Sequence, residues 1–187
     1  MSEPGPAPGG GEPDELFERC RSGDPAAFDE VYQRFGRSLY GTALRILRRP
    51  EDAEDVVQEA FVKLYRQAPG LKPGSLGGWL RQVVAHEAID RLRQRRRRRE
   101  DELPPADQQP APSAVPAPGT ARLDLERAVQ RLPERARLVF LLHDVEGLAH
   151  AQVARMLGIQ EGTSKSQLFR AREQLRGLLE PALGARG

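Results

Sequence analysis

Apolar residues recur at intervals of three and four positions along most of this chain, and no segment alternates apolar and polar residues for long. Intervals of three to four residues place side chains on one face of an α-helix. The first such stripe consists of Phe28, Val31, Tyr32, Phe35, Leu39, Ala43, Ile46 and Leu47. The pattern predicts an all-α protein without a β-sheet.

Local signals set the limits of the helices in the first half of the chain. Asp24-Pro25 fits a cap followed by proline at the first helical position, and Arg49-Pro50 ends that helix. A second helix opens at Glu51-Asp52, where acidic residues suit the helix dipole. Its predicted inner face consists of Val56, Val57, Ala60, Phe61 and Leu64. A third long helix is predicted after Ser75.

Four shorter helices are predicted in the last third of the chain. They are expected over Leu123–Leu132, Glu134–Val145, His150–Leu157 and Glu161–Leu179. The last two are joined at Gly158, the residue type that best tolerates the left-handed backbone that closes a helix. Two helices joined by a short glycine-containing turn form a helix-turn-helix, whose second helix enters the DNA major groove. This pattern predicts a DNA-binding domain.

Low-complexity segments divide the chain into two domains. Residues 1–13 are rich in proline and glycine and are expected to form a flexible tail. Residues 100–121 are rich in proline, alanine and glutamine and are expected to form a flexible linker. Small helical domains are therefore predicted over residues 14–99 and 122–181, followed by a tail over residues 182–187.

The formal net charge of +2 conceals a segregation of charge. Acidic residues gather in Glu51–Glu59, whereas Arg91–Arg99 contains seven arginines and no acid. A basic segment is the electrostatic footprint of a nucleic-acid-binding protein. An acidic helix face cannot bind phosphate favourably, so it indicates either a protein partner or a solvated surface.

Composition excludes several classes of protein. Cys20 is the only cysteine, so the chain has no internal disulfide and no cysteine-based zinc site. We expect Cys20 to be a small residue near a domain edge. No apolar run approaches the ~20 residues that span a membrane, and Met1–Pro13 is unlike a signal peptide. These features predict a cytoplasmic protein without membrane insertion.

Two alternative functions remain open on the residues alone. His86-Glu87-Ala88-Ile89-Asp90 differs by one residue from the H-E-x-x-H pattern of zinc enzymes, but the neighbouring arginines would repel a dication. We therefore predict no catalytic residue, metal ligand or cofactor, and expect His143 and His150 to be surface or capping residues. A stand-alone helix-turn-helix regulator is the second alternative, although such proteins usually dimerise and would leave the Glu51–Glu59 face unused.

Three motifs, in this order, resemble those of a known family. They are Asp52–Phe61 (DAEDVVQEAF), Trp79–Arg93 (WLRQVVAHEAIDRLR), and Leu132–Leu141 (LPERARLVFL) with Glu161–Ser166 (EGTSKS). The first two resemble region 2 of bacterial RNA polymerase sigma factors, and the third resembles region 4. Two such domains joined by a linker resemble the extracytoplasmic-function (ECF) subfamily.

The resemblance implies an alternative, non-catalytic sigma factor that directs promoter-specific transcription initiation. Its implied partners are core RNA polymerase (through the β′ clamp helices and the β flap), promoter DNA and an anti-sigma factor. The residues implied for core binding are Asp52, Asp55, Gln58 and Glu59.

The resemblance also implies two sets of DNA-binding residues. For the minus-ten element these are Trp79, Arg81, Gln82, His86, Arg91, Arg93 and Arg95. For the minus-thirty-five element they are Thr163, Ser164, Lys165, Ser166, Gln167, Arg170 and Arg172.

This sequence departs from the common family pattern at several of these positions. Sigma factors of this kind commonly have Asn where His86 stands, Val where Ser164 stands and Arg where Gln167 stands. Ala149-His150-Ala151-Gln152 replaces a commoner Ser-Tyr-x-Glu stretch. Gln can bond adenine through two hydrogen bonds, whereas Arg favours guanine. The departures predict an altered choice of promoter sequence on an unchanged fold.

Overall fold

The computed structural model of the chain describes residues 15–71, 76–101 and 121–184. These residues form helices and short connections without a β-strand, so the predicted all-α class is confirmed. The chain divides into two compact units, Met1–Arg91 and Leu92–Gly187. None of the described helices combines the length and apolarity that crossing a bilayer requires.

The predicted low-complexity segments fall mostly outside the described residues. Residues 1–13 lie wholly outside them. The ends of the predicted linker over 100–121 are helical, because α4 (Leu76–Asp101) runs into it and α5 begins at Ala121. The tail predicted over 182–187 also begins inside a helix. The division between the units falls within α4, before the predicted domain end at residue 99.

The first unit contains α1 (Glu15–Arg21), α2 (Pro25–Leu47), α3 (Pro50–Gln67), a 3₁₀ turn (Ala68–Gly70) and the first part of α4. The sequence patterns did not identify α1, whose seven residues are too few to show a repeated stripe. Cys20, which was expected to be a small residue near a domain edge, lies in α1, the first described helix of its unit, and is buried.

The ends of α2 follow the predicted signals. The Asp24 carboxylate accepts a hydrogen bond from the Ala26 backbone N–H at 3.0 Å and so caps the helix. A hydrogen bond that Arg19 donates to Asp24 holds the pKa of this carboxyl below its usual range. At the other end Arg48 adopts a left-handed conformation with φ of 59°, and α3 begins two residues later at Pro50.

The apolar stripes of α2, α3 and α4 form the core of the first unit. The largest fully buried side chains here are Val31, Leu39, Ile46, Val56, Leu64, Leu76, Leu80 and Val84. Four of the five residues predicted for the inner face of α3 are buried, and Phe61 is half-buried. Tyr32 was predicted to face the core, but it is 54% exposed and packs its ring against Phe61 at a centroid distance of 5.0 Å.

The second unit contains α5 (Ala121–Arg131), α6 (Glu134–Phe140), α7 (His150–Leu157) and α8 (Glu161–Gly184). The helix predicted over Glu134–Val145 changes character after Phe140 and continues as a π-helical turn, Leu141–Val145. In this turn the Glu146 N–H donates to the Leu141 carbonyl at 3.0 Å. The core of the second unit includes Val139, Leu141, Leu142, Val153, Leu168 and Ala171.

Core burial on α3 can be tested by substitution. Leu64 is completely buried, so Leu64→Ala should lower the free energy of unfolding by about 2–5 kcal/mol. Val62 lies on the same helix with 48% exposure, and Val62→Ala should change it by less than about 0.5 kcal/mol. Urea denaturation followed by far-UV circular dichroism measures both values. Equal losses in the two variants would contradict the observed orientation of α3.

Candidate functional site

The outward face of α3 carries the acidic residues that the sequence singled out. Asp55, Gln58, Glu59 and Val62 are exposed, as predicted, and Asp52 is half-buried. They face outward because the residues between them fill the core of the unit. Asp55, Gln58, Glu59, Val62, Lys63 and Arg66 line an open groove of about 320 Å³. We call this surface, Asp52 included, the acidic face.

Arg91 of α4 lies against the acidic face. Its guanidinium is 3.5 Å from Asp52 Oδ1, 3.1 Å from Asp55 Oδ2 and 3.2 Å from Glu59 Oε1. The Arg91 side chain is only 24% exposed. It was expected to contact DNA, but here it compensates three carboxylates of the neighbouring helix.

A second ion pair between α3 and α4, Lys63 with Glu87, bears on the zinc-enzyme alternative. Glu87 is thereby engaged, and the exposed His86 has its Nδ1 atom 3.0 Å from the Gln82 carbonyl oxygen. Among the described residues, no group of three or more histidine, cysteine or acidic side chains converges as metal ligands.

The other residues that were expected to bind the minus-ten element also lie on α4, and their side chains differ in exposure. Arg81, Gln82 and His86 are exposed, and Gln82 and His86 share one face at a spacing of four residues. Trp79, Arg93 and Arg95 are half-buried. The structure therefore brings a polar pair and an aromatic ring to the first half of α4.

The helix-turn-helix predicted in the second unit is present in the structure. Gly158 ends α7 in the left-handed conformation, with φ of 63°, and α8 begins at Glu161. The Ile159 N–H donates to the Ala154 carbonyl at 3.0 Å, and the Gly158 N–H donates to the Ala154 and Arg155 carbonyls, so the helix end is closed by backbone hydrogen bonds. This closure directs α8 away from the axis of α7.

The first turns of α8 present most of the predicted minus-thirty-five residues. Lys165, Ser166 and Arg170 are exposed, whereas Thr163 and Gln167 are half-buried. Lys165 donates to Glu161 at 2.8 Å, and this hydrogen bond holds the pKa of Glu161 below its usual range.

Phe169 was missed by sequence reasoning, although it is 66% exposed on α8. Its signal was present in the sequence, because the residues three and four positions away on either side, which share its helix face, are all polar (Lys165, Ser166, Arg172 and Glu173). An exposed aromatic ring on such a helix is suited to apolar contact with a base.

Two predicted DNA-binding residues of α8 are engaged within the protein. Ser164 is fully buried, and its hydroxyl lies 2.9 Å from His150 Nδ1. Arg172 donates two hydrogen bonds to Asp144, at 2.9 and 2.7 Å, and these raise the pKa of Arg172. Ser164 is therefore not presented at the surface, whereas the Arg172 side chain stays 56% exposed beside Asp144.

His143 and His150, which were expected to be surface or capping residues, contact each other. Both are half-buried, and their rings stack with a centroid distance of 4.0 Å and an interplanar angle of 12°. This contact could not be predicted from sequence patterns, because it depends on the π-helical turn that follows α6.

Comparison with known proteins agrees with this architecture. Residues 31–98 match the family model of Sigma-70 region 2, and residues 122–175 match that of Sigma-70 region 4. The ECF RNA polymerase sigma factor SigM of Mycobacterium tuberculosis is 35% identical over 166 residues, which cover 88% of this chain and 83% of SigM. The ECF sigma factor SigE of Mycolicibacterium smegmatis is 33% identical over 84% of this chain, and the match spans 65% of the length of SigE.

Solved structures of sigma factors share the fold. The sigma factor RpoE from Bartonella quintana, solved with the anti-sigma factor NepR, matches with a TM-score of 0.56 and 25% identity, over 82% of this chain and 96% of that one. CnrH, solved with the cytosolic domain of CnrY, has the same TM-score at 24% identity, over 91% of this chain and 99% of CnrH. The two region matches, their order along the chain and the SigM relationship place the chain in the ECF family of RNA polymerase sigma factors.

Proposed function

We propose that this protein is an alternative sigma factor that binds core RNA polymerase through the acidic face and recognises promoter DNA through α4 and α8. The acidic face is the observation that carries the proposal. It is an exposed row of carboxylates bordering a groove, on a protein that also has a helix-turn-helix. The carboxylates of this surface do not contribute to DNA binding, because phosphates and carboxylates repel each other.

The composition of the acidic face suits a basic helical partner. The Asp55 and Glu59 side chains keep 58% and 51% exposure beside Arg91, so each can accept further hydrogen bonds. Exposed Val62 adds apolar area in the same groove. The β′ clamp helices of core polymerase are the partner that the family implies for this face, with the β flap as a further contact. Arg91 would then serve as an organiser of the acidic face.

The first half of α4 supports binding of an opened minus-ten element. Single-stranded bases stack on aromatic side chains, and Trp79 offers such a ring. Arg81, Gln82 and His86 are exposed in the next two turns and can reach phosphates and base edges. Arg93 and Arg95 follow as basic residues on the same helix.

The first turns of α8 support readout of the minus-thirty-five element in the major groove. Recognition helices contact bases through their N-terminal residues, where Thr163, Lys165, Ser166 and Gln167 stand. Arg170 is placed for a phosphate, and Phe169 offers apolar contact to a thymine methyl group.

In this proposal the protein performs no chemistry itself and acts in the cytoplasm with the polymerase. Two modest DNA contacts become strong when they are held on one complex, since the second then binds at a high effective concentration. A linker over residues 102–120, outside the described residues, would connect the two contacts. An anti-sigma factor is a further proposed partner, because the similar sigma factor RpoE from Bartonella quintana was crystallised with one.

A titration of labelled protein against core polymerase, without DNA, tests the docking face. Asp55→Ala should raise the dissociation constant about tenfold, because one exposed carboxylate of the groove is lost. Glu15→Ala removes an exposed carboxylate from α1, outside the acidic face, and should leave the affinity unchanged. Unchanged affinity in Asp55→Ala would contradict the assigned face. Absence of binding by the folded wild-type protein would favour a stand-alone DNA-binding regulator.

The structural role of Arg91 is tested by stability. Arg91→Gln should lower the free energy of unfolding by about 1 kcal/mol, since three carboxylates lose their partly buried partner. Arg81→Gln makes the same change at an exposed position of α4 and should cost less than about 0.5 kcal/mol. Urea denaturation compares the two, and equal losses would show that Arg91 is not held by the acidic face.

Sequence readout is tested by selection of promoters from a pool with a randomised upstream element. Gln167→Arg should shift the preferred base at one position from adenine towards guanine, because the two side chains bond different base edges. Gln174→Arg places the same change two turns further along α8 and should leave the preference unaltered. An identical selected sequence in wild type and Gln167→Arg would exclude Gln167 from base readout.

A further inference from the structure

A small polar cluster lies inside the helix-turn-helix, between the π-helical turn and the start of α8. His143 belongs to the turn, His150 is the first residue of α7 and Ser164 lies in the first turn of α8. The two imidazole rings stack at 4.0 Å, and His150 Nδ1 lies 2.9 Å from the Ser164 hydroxyl. The cluster therefore links three consecutive elements through side chains alone.

The hydrogen bonds of the cluster indicate which of its atoms carry protons. His143 Nδ1 lies 2.7 Å from the Leu148 carbonyl oxygen, which can only accept, so this nitrogen carries a proton. A neutral His150 with its proton on Nε2 accepts from the Ser164 hydroxyl. A protonated His150 must instead donate from Nδ1, and the serine hydrogen then needs another acceptor. Protonation thus reverses the bond that joins α7 to α8.

The surroundings of His150 oppose a positive charge. Burial lowers the pKa of His150, and the neighbouring His143 and Lys165 lower it further. His150 also stands at the positive end of the α7 dipole.

Two carboxylates act in the opposite direction on His150, from Glu161 of α8 and Asp144 of the π-helical turn. Each is already engaged by a cation, because Lys165 pairs with Glu161 and Arg172 pairs with Asp144. The neutral form of His150 is therefore the one that the folded domain favours.

We propose that the stacked histidines and the His150–Ser164 hydrogen bond position the recognition helix α8, so that binding of the upstream promoter element requires neutral His150 and weakens reversibly in mild acid. In this role His150 and Ser164 are positioning residues, because they bond each other across α7 and α8 and Ser164 is fully buried. The inference rests on the proposed function and adds to it a response to proton concentration.

The direction of the response follows from proton linkage. Because the folded domain holds the pKa of His150 below that of the unfolded chain, the unfolded chain takes up this proton first as the pH falls. The stabilising contribution is complete above the ordinary histidine range near 6.5 and declines below it. Binding that needs the neutral ring declines at lower pH still, because the folded protein takes up this proton only as the pH approaches its lowered pKa.

The test compares promoter binding by holoenzymes that contain wild-type protein or the double variant His150→Tyr/Ser164→Val. Tyr and Val are the residues that sigma factors of this kind commonly carry here, and neither titrates in this range. The probe is the promoter fragment selected by the wild-type holoenzyme at pH 7.5. For each holoenzyme the affinity at pH 5.0 is divided by the affinity at pH 7.5. The pH response of the polymerase itself is common to both holoenzymes, so it cancels when the two ratios are compared.

The ratio of affinity at pH 5.0 to affinity at pH 7.5 should be at least about threefold lower for the wild-type holoenzyme than for the double variant. It should be at most ~30-fold lower, which is the limit for a histidine with the ordinary pKa. Proton NMR titration of the three histidines should give His150 a pKa below the ordinary value, with resonances assigned by single substitutions. Circular dichroism should show unchanged helix content over this range.

Several outcomes would overturn the inference. An equal change of DNA affinity with pH in the wild type and the double variant would do so. A His150 pKa at the ordinary histidine value in the NMR titration would also do so. Loss of helical signal at pH 5.0 would also do so, because the domain would then be unfolding. If no upstream element is selected at pH 7.5, the proposed function itself fails, and the NMR titration still reports whether the cluster holds His150 neutral.

Discussion

A helix in a unit of three or four helices can bury only one stripe of its surface, and this limit decides where the charged side chains of the protein lie. On α3, burial of Val56, Ala60 and Leu64 forces the carboxylates outward. On α8, burial of Leu168 and Ala171 leaves Lys165 and Arg170 outside. The apolar pattern thus determines the positions of both proposed binding surfaces, although none of its residues belongs to them.

Much of this arrangement could be predicted, because helix periodicity is a local property. The register of α3, the cap at Asp24 and the closure at Gly158 all follow from residues within one or two turns. The family resemblance then gave the order of the two regions. Helix limits could not be predicted where a helix was too short to show a repeated apolar stripe, as in α1. The end of α6 could not be predicted either, because the chain continues as a π-helical turn after Phe140.

The contacts that the sequence did not reveal join residues far apart along the chain. Arg91 meets carboxylates more than thirty positions earlier, and Arg172 meets Asp144 across 28 positions. The family resemblance assigned these arginines to DNA, since matching residues to a motif does not reveal which ones a neighbouring helix compensates. It also assigned Ser164 to DNA, because the position of Ser164 in the motif did not reveal its burial. Polar residues in a motif are therefore weaker evidence for a contact than the motif itself is for the fold.

The internal ion pairs of α8 have a consequence for its first encounter with DNA. Lys165, Arg172 and Arg176 are each paired with a carboxylate, and among the described side chains of this helix Arg170 is the cation without such a pair. Affinity for bulk DNA grows with the number of phosphates a protein neutralises, through release of condensed counterions. A recognition helix that has compensated most of its own charge releases few counterions. In the proposed function, α8 would therefore add little to the affinity for arbitrary sequences.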